Sequence, residues 1–354
     1  MSRRSLALLL LAGTVLWAVL TVLQVQVGEA ARFSFSLREV GIGLARLFGN
    51  GEGLEPAAQA VFELRVWRGL TAAGVGACLA VSGAMLQGLF RNGLAEPALL
   101  GVSGGANLGA TLALLALYGY ARGFVPPSGV GAGAFVTAMA FAGALATSLL
   151  VLVIARGDGQ IDVVRLLLVG VAMNTVILGV LAAMYSLLLH DAEVSRAVRT
   201  WTFGNLDDRQ PVHAAMVCAG VLVAAAAIPF VATELDLLAG GEEDAAALGV
   251  STGSVKVVVT LATAFATACA FAAAGQIAFV GLLVPHVLRL LTGASHRTLL
   301  PLSLVAGAVV LLGLDLAQLA VLGKRTLHTG VLMSVVGGPF FLALLARAGR
   351  LGSW

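Results

Sequence analysis

Long apolar runs separated by short polar punctuation dominate the chain, and their lengths set the first prediction. Ser5 to Val27 is the first run, and Gly69 to Phe90 the second, uncharged between Arg68 and Arg91. At about 1.5 Å per helical residue, each is long enough to cross the roughly 30 Å hydrocarbon layer of a bilayer. The polar hinge Arg91-Asn92-Gly93-Leu94-Ala95-Glu96-Pro97 reverses the chain into a third run ending near Ala121, because proline lacks a backbone donor and glycine weakens a helix. There Gly101, Gly105 and Gly109 recur every four residues, a spacing of small residues that lets membrane helices approach closely. Further runs cover Gly131 to Ala155, Leu166 to Leu189, Gln210 to Thr233, Leu299 to Ala317 and His328 to Ala346. Val257 to Leu288 is too long for one crossing and splits at Gly275-Gln276. The pattern predicts an all-α polytopic membrane protein, a single domain over 1–354 with about ten transmembrane helices. An even count returns both ends to the same side.

The polar stretches between runs carry the remaining organisation. Residues 28–64 form the longest, read as an extramembrane loop with a short surface helix. Arg156-Gly157-Asp158-Gly159 reads as a turn, and His190 to Gln210 as a charged loop whose Trp201 suits the membrane interface. The loop 233–252 holds Glu242-Glu243-Asp244 ahead of Leu248-Gly249, a short helix with acids at its positive dipole end and glycine as its stop. The first run exceeds the h-region of a signal peptide, so it is read as a retained span despite the small residues around Gly28-Glu29-Ala30.

Composition narrows the chemistry. Charged residues make up 11% of the 354, against roughly a quarter in soluble domains, so membrane lipid is the surrounding medium. A net charge of +3 leaves no basic face for nucleic acid. Cys78, Cys218 and Cys269 lie within apolar runs without metal or pairing spacing, which reads as small apolar filler, with no metal site and no covalently bound cofactor. No Gly-x-x-x-x-Gly-Lys-Ser/Thr occurs, so ATP hydrolysis would belong to another chain. Ala77-Cys78-Leu79-Ala80 and Ala268-Cys269-Ala270-Phe271 hint at a repeat of opposite orientation, five spans apart.

Three stretches carry a family resemblance. Leu79-Ala80-Val81-Ser82-Gly83-Ala84-Met85-Leu86-Gln87 with Leu100-Gly101-Val102-Ser103-Gly104-Gly105-Ala106 is one. Gly241-Glu242-Glu243-Asp244-Ala245-Ala246-Ala247-Leu248-Gly249 is the second, and Gly275-Gln276-Ile277-Ala278-Phe279-Val280-Gly281 through Pro285-His286-Val287-Leu288-Arg289 the third. Together they resemble the permease subunit of type II ABC importers, the family that moves haem, ferric siderophores and cobalamin. Trp67 and Gly93 stand where that family usually has prolines.

The resemblance implies a homodimer in the bacterial inner membrane, served by two ATP-binding cassette subunits and a periplasmic substrate-binding protein. Both termini would be cytoplasmic, with 28–64 periplasmic and 233–252 cytoplasmic. Arg65 and Arg68 would dock the binding protein; Gln318 replaces a third docking arginine, for which Lys324 and Arg325 are candidate substitutes. Gly241, Glu242, Glu243, Asp244, Leu248 and Gly249 would form the coupling helix seated on the ATPase. Asn92, Leu94, Val163 and Val164 would form the inner gate, and Met173 and Asn174 either line the pathway or pack the core. ATP would be used by the partner subunit, with haem the transported substrate, chosen on Leu89-Phe90-Arg91-Asn92 and a pathway poor in charge. A ferric siderophore or cobalamin is the alternative, the latter suggested by Leu94-Ala95-Glu96-Pro97.

Two residues invite other chemistry. His286 beside Pro285 suits a haem ligand or proton relay, or a helix-end histidine bonding backbone freed by the proline. Gly101-Val102-Ser103-Gly104 also fits the Gly-x-Ser-Gly of intramembrane serine proteases, which require a base within reach of the serine. No catalytic residue is expected on the importer reading.

Overall fold

The computed structural model describes residues 3–26, 34–49, 53–120, 130–157, 160–188, 192–322 and 327–351. Its helices are α1 (Arg3–Gln26), α2 (Leu37–Leu47), α3 (Pro56–Leu89), α4 (Val102–Leu115), α5 (Val130–Ala155), α6 (Val163–Leu188) and α7 (Ala192–Thr202), followed by α8 (Pro211–Leu238), α9 (Glu242–Ala247), α10 (Thr252–Ala274), α11 (Val280–Thr292), α12 (His296–Leu322) and α13 (Thr329–Leu351). Among the described residues, seven helices are long and apolar enough to span a membrane, namely α1, α3, α5, α6, α8, α10 and α12. The three shorter apolar helices α4, α11 and α13 fill the remaining places in the expected order.

Four boundaries differ from the sequence expectation. α3 begins at Pro56, well before the uncharged run, so the end of 28–64 is helix rather than loop. Proline fits that first helical position because its missing donor has no intrahelical partner there. α8 continues to Leu238, which shortens the 233–252 loop. The segment 192–202 is an amphipathic helix, with Val194 and Val198 buried and Trp201 in its last turn. Arg156-Gly157 pairs antiparallel with Gln160-Ile161, a two-residue ladder in an otherwise helical chain.

α3 is the hub, packed by α8, α10, α11 and α12. Glycine makes this approach possible: a Cβ at Gly76 would collide with the Gly307 carbonyl of α12, and one at Gly83 with the Gly281 carbonyl of α11. The predicted stripe works the same way on α4, where Gly105 and Gly109 lie against the Gly143 and Met139 backbone of α5. Dispersion and close backbone packing drive such association in lipid, where burying apolar surface brings little gain. Cys78 and Cys269, from the two similar segments, both lie against Gly220 of α8.

Candidate functional site

The two signature motifs of α3 and α11 meet in one junction. Pro285 lies inside α11 and cannot donate to the Gly281 carbonyl four residues earlier. Gln87 of α3 supplies the missing bond, its Nε2 donating to Gly281 O at 3.0 Å. Its Oε1 accepts from Arg289 Nη1, so one side chain satisfies a freed carbonyl and a guanidinium together. The histidine beside the proline therefore has a different place from the one expected: His286 lies in the second turn of α11, not at a helix end, and Gln87 bonds the freed carbonyl. Spacing along the sequence does not show that Gln87 and Arg289 are partners.

Next to this junction lies the predicted gate. Asn92 Oδ1 accepts from Leu94 N at 2.9 Å, a local turn that holds both residues at the end of α3. Val163 and Val164 open α6, with Asp162 as the cap: its Oδ1 accepts from Val164 N at 2.8 Å. A cavity of about 420 Å3 lies between these segments, lined by Phe90, Arg91, Asp162, Val163, Val164 and Glu242 among others. Chain reversal after α3, the start of α6 and the start of α9 thus share one space.

Met173 and Asn174 lie on the covered side of α6. Met173 packs on the main core, and Asn174 bonds α4 and its lead-in, donating to Ala98 O at 2.9 Å and accepting from Gly104 N at 3.1 Å. The opposite face of α6, with Val164, Leu168, Val171 and Leu178, is left uncovered by the chain. Replacing Asn174 by alanine is expected to lower stability by about 1 kcal/mol, seen as a small drop in thermal midpoint in detergent. Ser103 Oγ lies 3.4 Å from Asn174 Oδ1, an amide oxygen that is no base.

Residues 241–249 fold as the short helix expected, with one side chain placed differently. Gly241, at φ 139, precedes α9, and Gly249, at φ 88, ends it. Gly249 N donates to Ala246 O and Val250 N to Ala245 O, which closes the helix in a Schellman turn. Glu243, Asp244 and Leu248 face outward. Glu242 turns toward α10 instead and pairs with Lys256 at 2.5 Å, its side chain still partly exposed. Asp236, near the end of α8, accepts from Ser295 Oγ, His296 N and His296 Nδ1, tying that helix to the start of α12.

At the opposite end, Arg65 and Arg68 sit one turn apart on α3 and are engaged within the chain. Arg65 is buried and donates to Val25 O at 2.8 Å and to Gln26 O at 3.3 Å, satisfying carbonyls at the end of α1. Arg68 grips Asp315 of α12 bidentately, Nε to Oδ2 at 2.8 Å and Nη2 to Oδ1 at 2.9 Å, and reaches Asp207 through Nη1 at 2.6 Å. Asp315 also accepts from Gln24 and Gln318. Gln318 is thus buried and turned into the protein; Lys324 and Arg325 lie outside the described residues. Beside this cluster, burial pushes the Arg209 guanidinium down to about 10, against the pull of Asp207 and Asp208, so it stays charged at neutral pH.

Comparison with known proteins places this architecture. The model of the FecCD transport family matches residues 6–347. The cobalamin import permease of Halobacterium salinarum is 38% identical over 82% of this chain and 74% of its own. The hemin transport permease of Yersinia pestis is 35% identical over 80% and 82%, and the ferric enterobactin permease of Escherichia coli 35% over 83% and 84%. A solved structure described as an inward-facing metal-chelate type ABC transporter superposes with a TM-score of 0.73 at 25% identity, over 97% of this chain and 99% of that one. With its whole helical core matched, the chain belongs to the FecCD transport family and is a permease subunit of a type II ABC importer.

Proposed function

We propose that this permease imports haem, working as a homodimer in the bacterial inner membrane with two ATPase subunits and a periplasmic binding protein. The observation that carries the importer reading is the match over residues 6–347. The choice of haem rests on Leu89-Phe90-Arg91-Asn92 and on the largely uncharged faces of the spans, which suit a flat apolar macrocycle. Cobalamin is the second reading, favoured by Leu94-Ala95-Glu96-Pro97 and by the cobalamin permeases among the relatives.

In this scheme the uncovered face of α6 meets the second copy across the two-fold axis, and cargo passes between the copies. The outward Glu243, Asp244 and Leu248 seat on the ATPase, which hydrolyses ATP in its own chain. Both termini lie in the cytoplasm, as an even number of spans requires once α9 faces the ATPase. The binding protein docks at the end of α3 that carries Arg65 and Arg68, where its carboxylates would compete with Asp315 and Asp207 for Arg68. No catalytic group is needed in the permease.

The test is ATP-dependent uptake into proteoliposomes holding the complete transporter, offered haem, a ferric siderophore and cobalamin in turn. Uptake of haem well above the other two supports the reading, and preferential uptake of another cargo overturns haem while keeping the importer. Absence of ATP-coupled uptake of all three overturns the whole scheme.

A further inference from the structure

Lys256 was singled out by no sequence motif, yet it occupies a junction of the machinery. It is an ammonium group 5% exposed near the start of the spanning helix α10, in a chain of which 11% is charged. A buried lysine of this kind needs a partner, because desolvating an unpaired ammonium is costly. The partner is Glu242 Oε1 at 2.5 Å, the first residue of α9. Among the described residues this is the ion pair that joins α9 to a spanning helix, since Glu243 and Asp244 point outward.

Three further observations give the pair a mechanical meaning. Ala245 anchors the inner side of α9 in the core, and α9 is only six residues long, flanked by Gly241 and Gly249 at positive φ. α8 is held to α12 through Asp236 before the chain enters α9. And Glu242 and Lys256 line the same 420 Å3 cavity as Arg91, Val163 and Val164.

We propose that Lys256 is a positioning residue for energy coupling: through Glu242 it fixes α9 to α10, so that displacement of α9 is delivered to the segment that borders the gate cavity. Without the pair, α9 would yield at its two glycine ends and α10 would stay behind. The proposal rests on the importer reading, and the experiment separates the two.

In proteoliposomes carrying the complete transporter, cargo moved per ATP hydrolysed is measured for the unsubstituted protein, Lys256→Met, Lys256→Arg, and the exchange Glu242→Lys with Lys256→Glu. Recovery of the ATPase subunit with each variant is measured alongside. The expected result is at least a tenfold loss of cargo per ATP for Lys256→Met with the ATPase still bound and active, and recovery of most of the ratio by Lys256→Arg. Should Lys256→Met fail to assemble, the exchange variant decides: assembly with near-normal coupling supports the pair, and assembly with poor coupling overturns it. A normal ratio in Lys256→Met, or an equal loss in Lys256→Arg and Lys256→Met, also overturns it. If the unsubstituted transporter shows no ATP-coupled uptake, the importer reading itself falls, whatever the variants do.

Discussion

Replacing Gly83 by valine is expected to prevent the permease from reaching a stable folded state. A Cβ at this position would fall inside the van der Waals surface of the Gly281 carbonyl, carbon and Cα, so backbone and not a movable side chain is in the way. α3 and α11 would have to separate, and with them the bond from Gln87 Nε2 to Gly281 O and the Gln87–Arg289 bond beyond it. Overpacking alone costs about 1–3 kcal/mol, and exposing the carbonyl freed by Pro285 adds about 1–3 kcal/mol. Summed, the loss is about 2–6 kcal/mol, at its upper end as large as the whole stability of a marginally stable domain. The measurement is the yield of monodisperse protein in detergent and its thermal midpoint. Gly253→Ala in the first turn of α10, where nothing lies within 4 Å of the added carbon, should behave like the unsubstituted chain. A Gly83→Val protein of normal yield and midpoint would show that the α3–α11 contact is looser than described.

The second large effect concerns Arg68. Its side chain is 11% exposed and its main partner Asp315 is fully buried, so removing the cation leaves a desolvated carboxylate to which, among the described residues, Gln24 and Gln318 donate. Breaking a buried pair from one side typically costs about 3–5 kcal/mol, whereas replacing both partners by apolar residues is often near neutral. Arg68→Met is therefore expected to lower the thermal midpoint by at least about 5 °C, and Arg68→Met with Asp315→Leu to recover most of it. Equal midpoints for the single variant and the unsubstituted protein would mean that the pair adds nothing to the fold. The result bears on docking as well. Loss of uptake in an arginine variant reports on the binding protein only where the fold survives, so the double replacement is the background in which affinity for the binding protein should be read.

Much of this molecule is legible in the order of its residues. The apolar runs determine the order of the helices, seven of them, among the described residues, long and apolar enough to cross a bilayer. Gly275-Gln276 marks the division of the longest run, and α10 ends at Ala274 with α11 starting at Val280. Glu242 to Gly249 encodes its own short helix through acids at the start and glycine at the end, and it forms at that place. The motifs that resemble the importer permeases point to the family that the comparison then shows.

What the sequence left undetermined are relations between distant residues, which have no local signature. Gln87 and Arg289 are 202 positions apart, and Arg68 and Asp315 are 247. Nothing in the spacing announces that one amide replaces the donor Pro285 lacks, or that one carboxylate holds α1, α3 and α12 together. Helix ends were misplaced where polar residues continue a helix beyond the membrane: α3 starts at Pro56 because its first turns pack on Phe35 and Val40 of the 28–64 segment, a contact made only in three dimensions. The turn of Glu242 toward α10 is of the same kind. Local rules favour three acids equally at a helix start, and only the approach of Lys256 from α10 selects which of them faces the protein.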